Sequence, residues 1–158
     1  MIEPEEVIET HIIGALAAAV PSLDVIGALA PCAPGNMKLS EYSSISVFVD
    51  LASQDLDWMG PGVPCTYNLR VVLKVSFSDD KTGALFRDSA RAVRGALAVL
   101  TGDGCVALDG DGFACDAFIL GSTDTALDAG DGSGAMKKTY NATVNGRLSS
   151  TETDKENE

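Results

Sequence analysis

The lone histidine is the residue on which most catalytic arrangements in this chain would depend. His11 is the only histidine, so any Ser–His–Asp or Cys–His arrangement would have to include it. It stands at the edge of the apolar stripe of a predicted first helix, which favours a partly buried structural histidine over a general base. The sequence therefore predicts no catalytic residues and no enzyme, although a carboxylate pair stays open in so acidic a chain.

The sequence Asp109-Gly-Asp111-Gly begins like a calcium-binding loop. An EF-hand loop needs a third oxygen ligand and a Glu at position twelve, but Phe113 and Leu120 stand there. The sequence also lacks the glycine-rich motifs that hold nucleotide phosphates. Tight turns are therefore the favoured interpretation, and we predict no metal site and no cofactor. A calcium- or ligand-binding module remains the alternative from a different functional class.

Composition and charge exclude several kinds of partner. The formal net charge of −12 disfavours free-standing affinity for nucleic acid and docking on an anionic membrane. No apolar run is long enough for a membrane span, and the acidic residues before the run 12–20 argue against a signal peptide. The cysteines at positions 32, 65, 105 and 115 lack zinc-site spacing. We expect reduced thiols in a cytoplasmic protein.

Two groups of residues suit contacts with another protein. Arg87, Arg91 and Arg94 occur at i, i+4 and i+7 and share one face of a predicted helix. A solvated face and an ion-pair surface for an acidic partner, such as a second copy of the chain, both remain open. Trp58 and Met59 occur beside glycine and proline in a connecting segment. Burial by the loop itself and exposure at an interface are equally open for them.

Two helices are predicted from apolar residues at helical spacing. The first begins at Pro4 and ends before Pro21. Its apolar face holds Ile8, Ile12, Ala15 and Ala19, with Leu16 at the edge. The second helix follows an N-cap at Thr82 and ends near a C-cap at Gly102. Its apolar stripe consists of Phe86, Ala90, Val93, Leu97 and Leu100.

Strands are predicted from alternation and composition. They span residues 23–29, 45–51, 67–77, 113–120 and 136–148, with loops at 31–36, 53–64, 102–112 and 121–135. Residues 1–148 are thus expected to form one α+β domain, with a mainly antiparallel or mixed sheet of four to five strands packed against two helices. Residues 149–158 hold no apolar side chain and are predicted to form a disordered acidic C-terminal tail.

The order of these elements resembles that of the tail terminator, or tail completion, proteins of long-tailed bacteriophages. The matching pieces are the opening helix, the strand 67–77 followed by Ser78-Asp79-Asp80, the helix 86–100 and the strand 138–144. The resemblance covers roughly residues 3–148 and is one of layout, because the family has no motif as specific as a catalytic signature.

The resemblance implies a structural virion protein. It would form a homo-oligomeric ring, typically a hexamer, that caps the tail tube, ends tube polymerisation and joins the head connector. Its implied partners are the tail tube protein and a head–tail connector or head-closure protein, and DNA would pass through the bore without sequence-specific binding. It would lie at the head–tail junction of the virion after assembly in the host bacterial cytoplasm.

Contacts within such an assembly can be assigned as expectations. We expect the segments 53–64 and 121–135 to contact neighbouring rings, and the face with Arg87, Arg91 and Arg94 to contact the next subunit. The alternative in the same setting is another connector ring, such as a head-closure protein.

Overall fold

In the part of the chain that the structure describes, five strands form one mixed sheet, and two α-helices pack on one of its faces. The computed structural model describes residues 3–28, 43–60, 62–110, 112–128 and 134–149. The elements are α1 (Pro4–Ala19), β1 (Asp24–Gly27), β2 (Ser44–Gln54), β3 (Val63–Ser76), α2 (Ala84–Ala98), a 3₁₀ helix (Gly102–Leu108), β4 (Phe113–Asp128) and β5 (Ala135–Leu148). The strand order is β1-β2-β3-β5-β4; β1 is parallel to β2 and the other pairs are antiparallel. The predicted α+β class is confirmed.

The predicted bounds of α1 are confirmed, but its buried face is shifted. Pro4 suits the first helical turn, and the glutamates of that turn lie near the positive end of the helix dipole. The buried residues are Ile8, Glu9, Ile12, Ile13 and Leu16. Leu16 therefore lies within the buried face rather than at its edge, whereas Ala15 and Ala19 are half-buried. The shift arises because α1 packs against α2 as well as against β1 and β2.

A glycine allows α1 to lie close to β1. A Cβ atom at Gly27 would come within 1.9 Å of Oε1 of Glu9 and 2.6 Å of Cδ1 of Ile13. Any larger residue at this position would push the helix away from the strand, so the contact requires glycine.

The alternation in β2 and β3 produces the buried face of the sheet, as predicted. The buried side chains are Ile45, Val47 and Val49 of β2 and Cys65, Tyr67, Leu69, Val71, Leu73 and Val75 of β3. Leu51 departs from the pattern and is exposed, since β2 changes register between Leu51 and Ser53. Both strands begin earlier than predicted, and β2 also ends later, at Gln54, so their connection is shorter, at residues 55–62. The end of β3 is one residue short of the prediction, at Ser76, and Phe77 is exposed.

The start of α2 differs from the prediction. Gly83 is the N-cap residue, with a left-handed φ of 80°, and the Thr82 hydroxyl accepts only the Ala84 N–H, at 3.3 Å. The carboxylate of Asp80 instead accepts the N–H groups of the first turn, at positions 85 and 86, at 3.1 and 2.8 Å. Asp80 therefore takes the capping role that was predicted for Thr82.

The rest of α2 follows the predicted stripe with two changes. The buried residues of the stripe are Ala90, Val93, Leu97 and Leu100, and Phe86 is half-buried. Val99, not Gly102, is the C-cap residue. Gly102, with a φ of 62°, is the first residue of the 3₁₀ helix, which occupies part of the predicted loop 102–112.

The strand β4 is eight residues longer than predicted. It runs through residues 121–128, which had been assigned to a loop because they are rich in glycine, serine, threonine and aspartate. Pairs such as Thr123 with Tyr140 and Leu127 with Met136 hold this half against β5. Two register shifts, after Cys115 and after Leu120, interrupt the pairing.

Several predictions fall on other residues. The loop 31–36, the thiol of Cys32, residues 129–133 of the predicted loop and the acidic segment 150–158 lie outside the described residues. Cys65, Cys105 and Cys115 are buried free thiols. Within the described ranges, no helix combines the length and apolarity that crossing a membrane requires.

Candidate functional site

The residues first considered for catalysis and metal binding have structural surroundings. His11 is half-buried on α1. Oδ1 of Asp109 accepts the N–H of Cys115 at 2.6 Å, so this carboxylate ties the end of the 3₁₀ helix to β4. Across the described residues, no three His, Cys, Asp or Glu side chains are grouped so that they could hold a metal ion. The remaining candidates for function are exposed surfaces that could contact other proteins.

Three exposed arginines line one side of α2. Arg87, Arg91 and Arg94 have the shared placement that their spacing predicted, and we call this surface the α2 arginine face. Nη1 of Arg91 lies 3.9 Å from Oδ1 of Asp88, and both side chains are more than 70% exposed, at 83% and 74%. Ion pairs this exposed contribute little to stability, so the charges remain available to a partner.

Arg94 also borders a groove of about 300 Å³ between α2 and the strands β4 and β5. The other lining residues are Leu97, Leu120, Gly121, Thr123, Lys138, Tyr140 and Asn141. We call it the α2–β4 groove. Nζ of Lys138 lies 5.6 Å from the centroid of the Tyr140 ring, within range of a cation–π contact. The groove thus combines an apolar floor with two cations.

Tyr140 fixes the geometry of this groove. Its hydroxyl donates a hydrogen bond to the carbonyl of Ala90 at 3.0 Å, which joins β5 to α2. Burial raises the pKa of Tyr140 to about 12, against a smaller lowering by the positive charge of Arg94. The phenol is therefore neutral at pH 7, and Arg94 and Lys138 give the groove its positive charge.

The outer half of β4 borders the groove and is an edge of the described sheet. Residues 121–127 are exposed on both faces, and β5 is the one strand among the described elements that pairs with them. Such an edge presents backbone N–H and C=O groups that can pair with another chain. The sequence analysis missed this edge, although Thr123, Thr125 and Leu127 alternate with smaller or polar residues in the manner of a strand.

The connection between β2 and β3 carries exposed apolar side chains. Trp58 is 42% exposed and Met59 is 97% exposed, so the structure places both on the surface rather than under the loop. Leu56, which the sequence analysis missed between Asp55 and Asp57, is 82% exposed. We call residues 55–62 the β2–β3 tip. Grouped apolar side chains of this kind are typical of protein interfaces.

The α2 arginine face and the β2–β3 tip are separate surfaces. Tyr140, beside Arg94, is in register with Val71, whereas the tip precedes Val63 at the start of β3. Eight strand residues separate these positions along β3, which corresponds to about 26 Å. The predicted interface residues therefore form two candidate contacts rather than one site.

The sheet face opposite the helices forms a third surface, which mixes polar side chains with the exposed Phe48 and Ile119. The guanidinium carbon of Arg70 lies 4.8 Å from the centroid of the Phe48 ring. Nδ2 of Asn141 donates to the carbonyl of Ser122 at 3.3 Å. A hollow of about 420 Å³ crosses this face over β2, β3, β5 and β4. Its lining holds one acidic and one basic side chain, Asp50 and Arg70, and suggests no specific chemistry.

Comparison with known proteins gives a structural likeness at low sequence identity. No protein-family model matches the chain, and no curated protein matches it. Among solved structures, the chain is similar to one described as the virion of a native gene transfer agent (GTA) particle. The identity is 18%, over 82% of this chain and 84% of that chain, with a TM-score of 0.49. A likeness at this level establishes neither family nor function, so the geometry of the surfaces has to carry the functional argument.

Proposed function

We propose that this chain is a structural virion protein that assembles head-to-tail into a ring, most simply a hexamer, at the end of a phage-type tail tube. The observation that carries the proposal is the presence of two separate, chemically different contact surfaces on one small domain, the α2 arginine face and the β2–β3 tip. A closed ring uses a heterologous interface between subunits, and capping a tube requires a further surface along the ring axis. The element order shared with tail terminator proteins supports the same assignment.

Acidic and basic residues are concentrated in different parts of the chain, so oppositely charged surfaces of neighbouring copies attract each other. Residues 1–60, which include α1, β1 and β2, contain nine acidic residues and one basic residue. Residues 61–100, which include β3 and α2, contain six basic and three acidic residues. In the proposed arrangement the acidic side of one copy contacts the α2 arginine face of the next. It does not contact the outer edge β4, whose residues 113–128 contain three acidic residues and no basic one. Such complementarity fixes orientation and speeds association.

The β2–β3 tip is the proposed contact with the tail tube. Its apolar side chains lie on the connection between two long strands, which projects them from one end of the sheet. The acidic composition of the chain suits a ring through which DNA passes, since a negative bore does not hold DNA by phosphate contacts. The tube protein and the head–tail connector are the proposed partners, the virion is the proposed location, and assembly takes place in the host cytoplasm.

The proposal is tested by assembly. The purified chain should form ring-sized particles in light scattering and negative-stain micrographs at about 50 mM salt, and fewer at about 500 mM, because salt screens exposed charges. Added to polymerising tail tube protein, it should cap the tubes and shorten them. A chain that stays monomeric at high concentration and leaves tube length unchanged contradicts the proposal. Binding to DNA-filled heads but not to tubes identifies a head-closure protein instead.

A further inference from the structure

We infer that the exposed edge of β4 and the α2–β4 groove receive residues 150–158 of a neighbouring copy, which add to the sheet as one more strand. The inference rests on the proposed head-to-tail assembly and names a contact within it.

The acidic segment 150–158 has the pattern of a strand with one charged face. Its four acids occur at every second position, Glu152, Asp154, Glu156 and Glu158, and alternate with Thr151, Thr153, Lys155 and Asn157. Successive side chains of a strand point to opposite faces. In an extended conformation the segment would therefore place all four carboxylates on one face and its only base on the other.

The receiving edge has the matching arrangement. On the side facing α2, the outer half of β4 carries the uncharged residues Thr123, Thr125 and Leu127, which pair with Tyr140, Lys138 and Met136. Arg94 and Lys138 supply positive charge on that same side. On the opposite side β4 carries Asp124, in register with Thr139, and β5 carries Lys137, in register with Ala126, so the charges on that side offset each other. The carboxylates of an added strand are thus attracted to the α2 side, and Lys155 falls on the side of Asp124.

The distances suit an added strand. Neighbouring strands lie about 4.8 Å apart, so a strand beside β4 is about 10 Å from β5. The long side chains of Lys138 and of a glutamate on the added strand together span that gap. Backbone pairing provides affinity in this mode of recognition, and alternate side chains provide specificity. The edge residues 121–127, exposed on both faces, leave room for the strand.

The segment has to come from another copy. The N–H of Ser149 donates to the carbonyl of Gly112 at 2.8 Å, which holds the start of the segment beside the beginning of β4. The pair Thr123–Tyr140 lies about 26 Å further along β4 than the pair Phe113–Leu148. In a chain that reverses direction after Ser149 over about two residues, Glu158 lies about seven strand residues further on, which is about 23 Å. Its own acids therefore stop short of Lys138, whereas those of a neighbour are not so limited.

The first test is deletion with matched charge reversals in the otherwise full chain. A chain that ends at Ser149 should need at least on the order of tenfold higher concentration to form rings. Lys138→Glu should have a similar effect. Lys137→Glu is the control, because it makes the same charge change at the adjacent residue, on the opposite sheet face in register with Lys74. Circular dichroism and thermal melting check that each variant folds.

The second test uses a labelled peptide of residues 149–158 and the chain that ends at Ser149. Fluorescence anisotropy should show binding that Lys138→Glu strongly weakens and Lys137→Glu retains. A peptide of the same composition with its acids placed consecutively should bind on the order of tenfold more weakly, because its carboxylates cannot share one strand face.

The outcomes separate this contact from the proposed ring. Rings that form at unchanged concentration after deletion of 150–158 contradict the inference and leave the ring intact. If the full chain forms no rings, the proposed function fails. The peptide experiment then tests the contact with the β4 edge by itself: binding that depends on the groove supports this contact, and absence of binding overturns it. Equal binding of both peptides overturns the strand arrangement. The inference is also contradicted if the segment 150–158 occupies the edge of its own chain. In that case the full chain would be monomeric and would not bind the peptide, whereas the shortened chain would bind it.

Discussion

Tyr140 and Cys115 show how burial sets the chemistry of single residues in this core. Burial is the main cause of a pKa near 12 for both side chains, and nearby Cys105 raises that of Cys115 further. The Cys115 thiol donates to the carbonyl of Ala117 at 3.6 Å and remains protonated. Neither group ionises in the folded protein near neutral pH, so both act as packing and hydrogen-bonding groups.

Stability should therefore fall in alkaline solution. In the unfolded chain these groups ionise near their ordinary pKa values of 9.0 for the thiol and 10.0 for the phenol. Their contribution to stability is complete below about pH 9 and is lost as the pH rises through about 12, because the unfolded state releases its protons first. Urea unfolding at pH 7, 9 and 10.5 measures the effect. Tyr140→Phe should flatten the decline above about pH 10, and an unchanged slope in this variant would contradict the assignment to Tyr140.

Single residues were predictable from the sequence where a local rule applied. Pro4 opens α1 as the rule for the first helical position predicts. The capping role of Asp80 was not predictable, because the turn at Gly83 brings a residue four positions before the helix to its first N–H groups. Rules that look for the N-cap next to the first helical residue do not take such a turn into account.

At the scale of elements, strands were predicted well where one face is buried by the described helices. The alternation in β3 is visible in the sequence because every second side chain enters the core. In the outer half of β4 the alternation of Thr123, Thr125 and Leu127 separates no buried face from an exposed one, since residues 121–127 are exposed on both faces. Its strand conformation depends on pairing with β5 and not on local preference.

The β2–β3 tip allows a test of one element. Replacing Met59 by Ser and Trp58 by Ala should leave the free energy of unfolding nearly unchanged, because both side chains are exposed. The same change should weaken binding to tail tubes by more than tenfold, as truncation of aromatic interface residues commonly does. Co-sedimentation with tubes measures the loss. Val99→Ser, which removes a 72% exposed side chain elsewhere, is the control and should bind normally.

At the scale of the whole molecule, the sequence was sufficient for the fold class and insufficient for the strand order. Element types and their succession follow from local alternation and helical stripes. The insertion of β5 between β3 and β4 depends on long-range pairs such as Val63 with Leu148, which no local pattern contains. The parallel placement of β1 at the far edge has the same origin.

Assembly of the whole molecule should depend on the α2 arginine face. Arg91→Glu should weaken ring formation, because it reverses a charge that faces the acidic side of the next copy in the proposed arrangement. Loss of the exposed Asp88 pair should change stability by less than about 1 kcal/mol, so the variant should fold normally. Sedimentation velocity at low salt measures the oligomer. An unchanged oligomer would remove this face from the interface.

The central position of β5 also determines when the domain can fold during synthesis. Its pairs with β3 and β4 are formed by residues 135–148, which leave the ribosome after every other described strand. Until then β4 lacks its strand partner and β3 keeps an open edge. The nascent chain therefore gains its cooperative core only after β5 has emerged, and the many long-range pairs of β5 predict slow folding from that point.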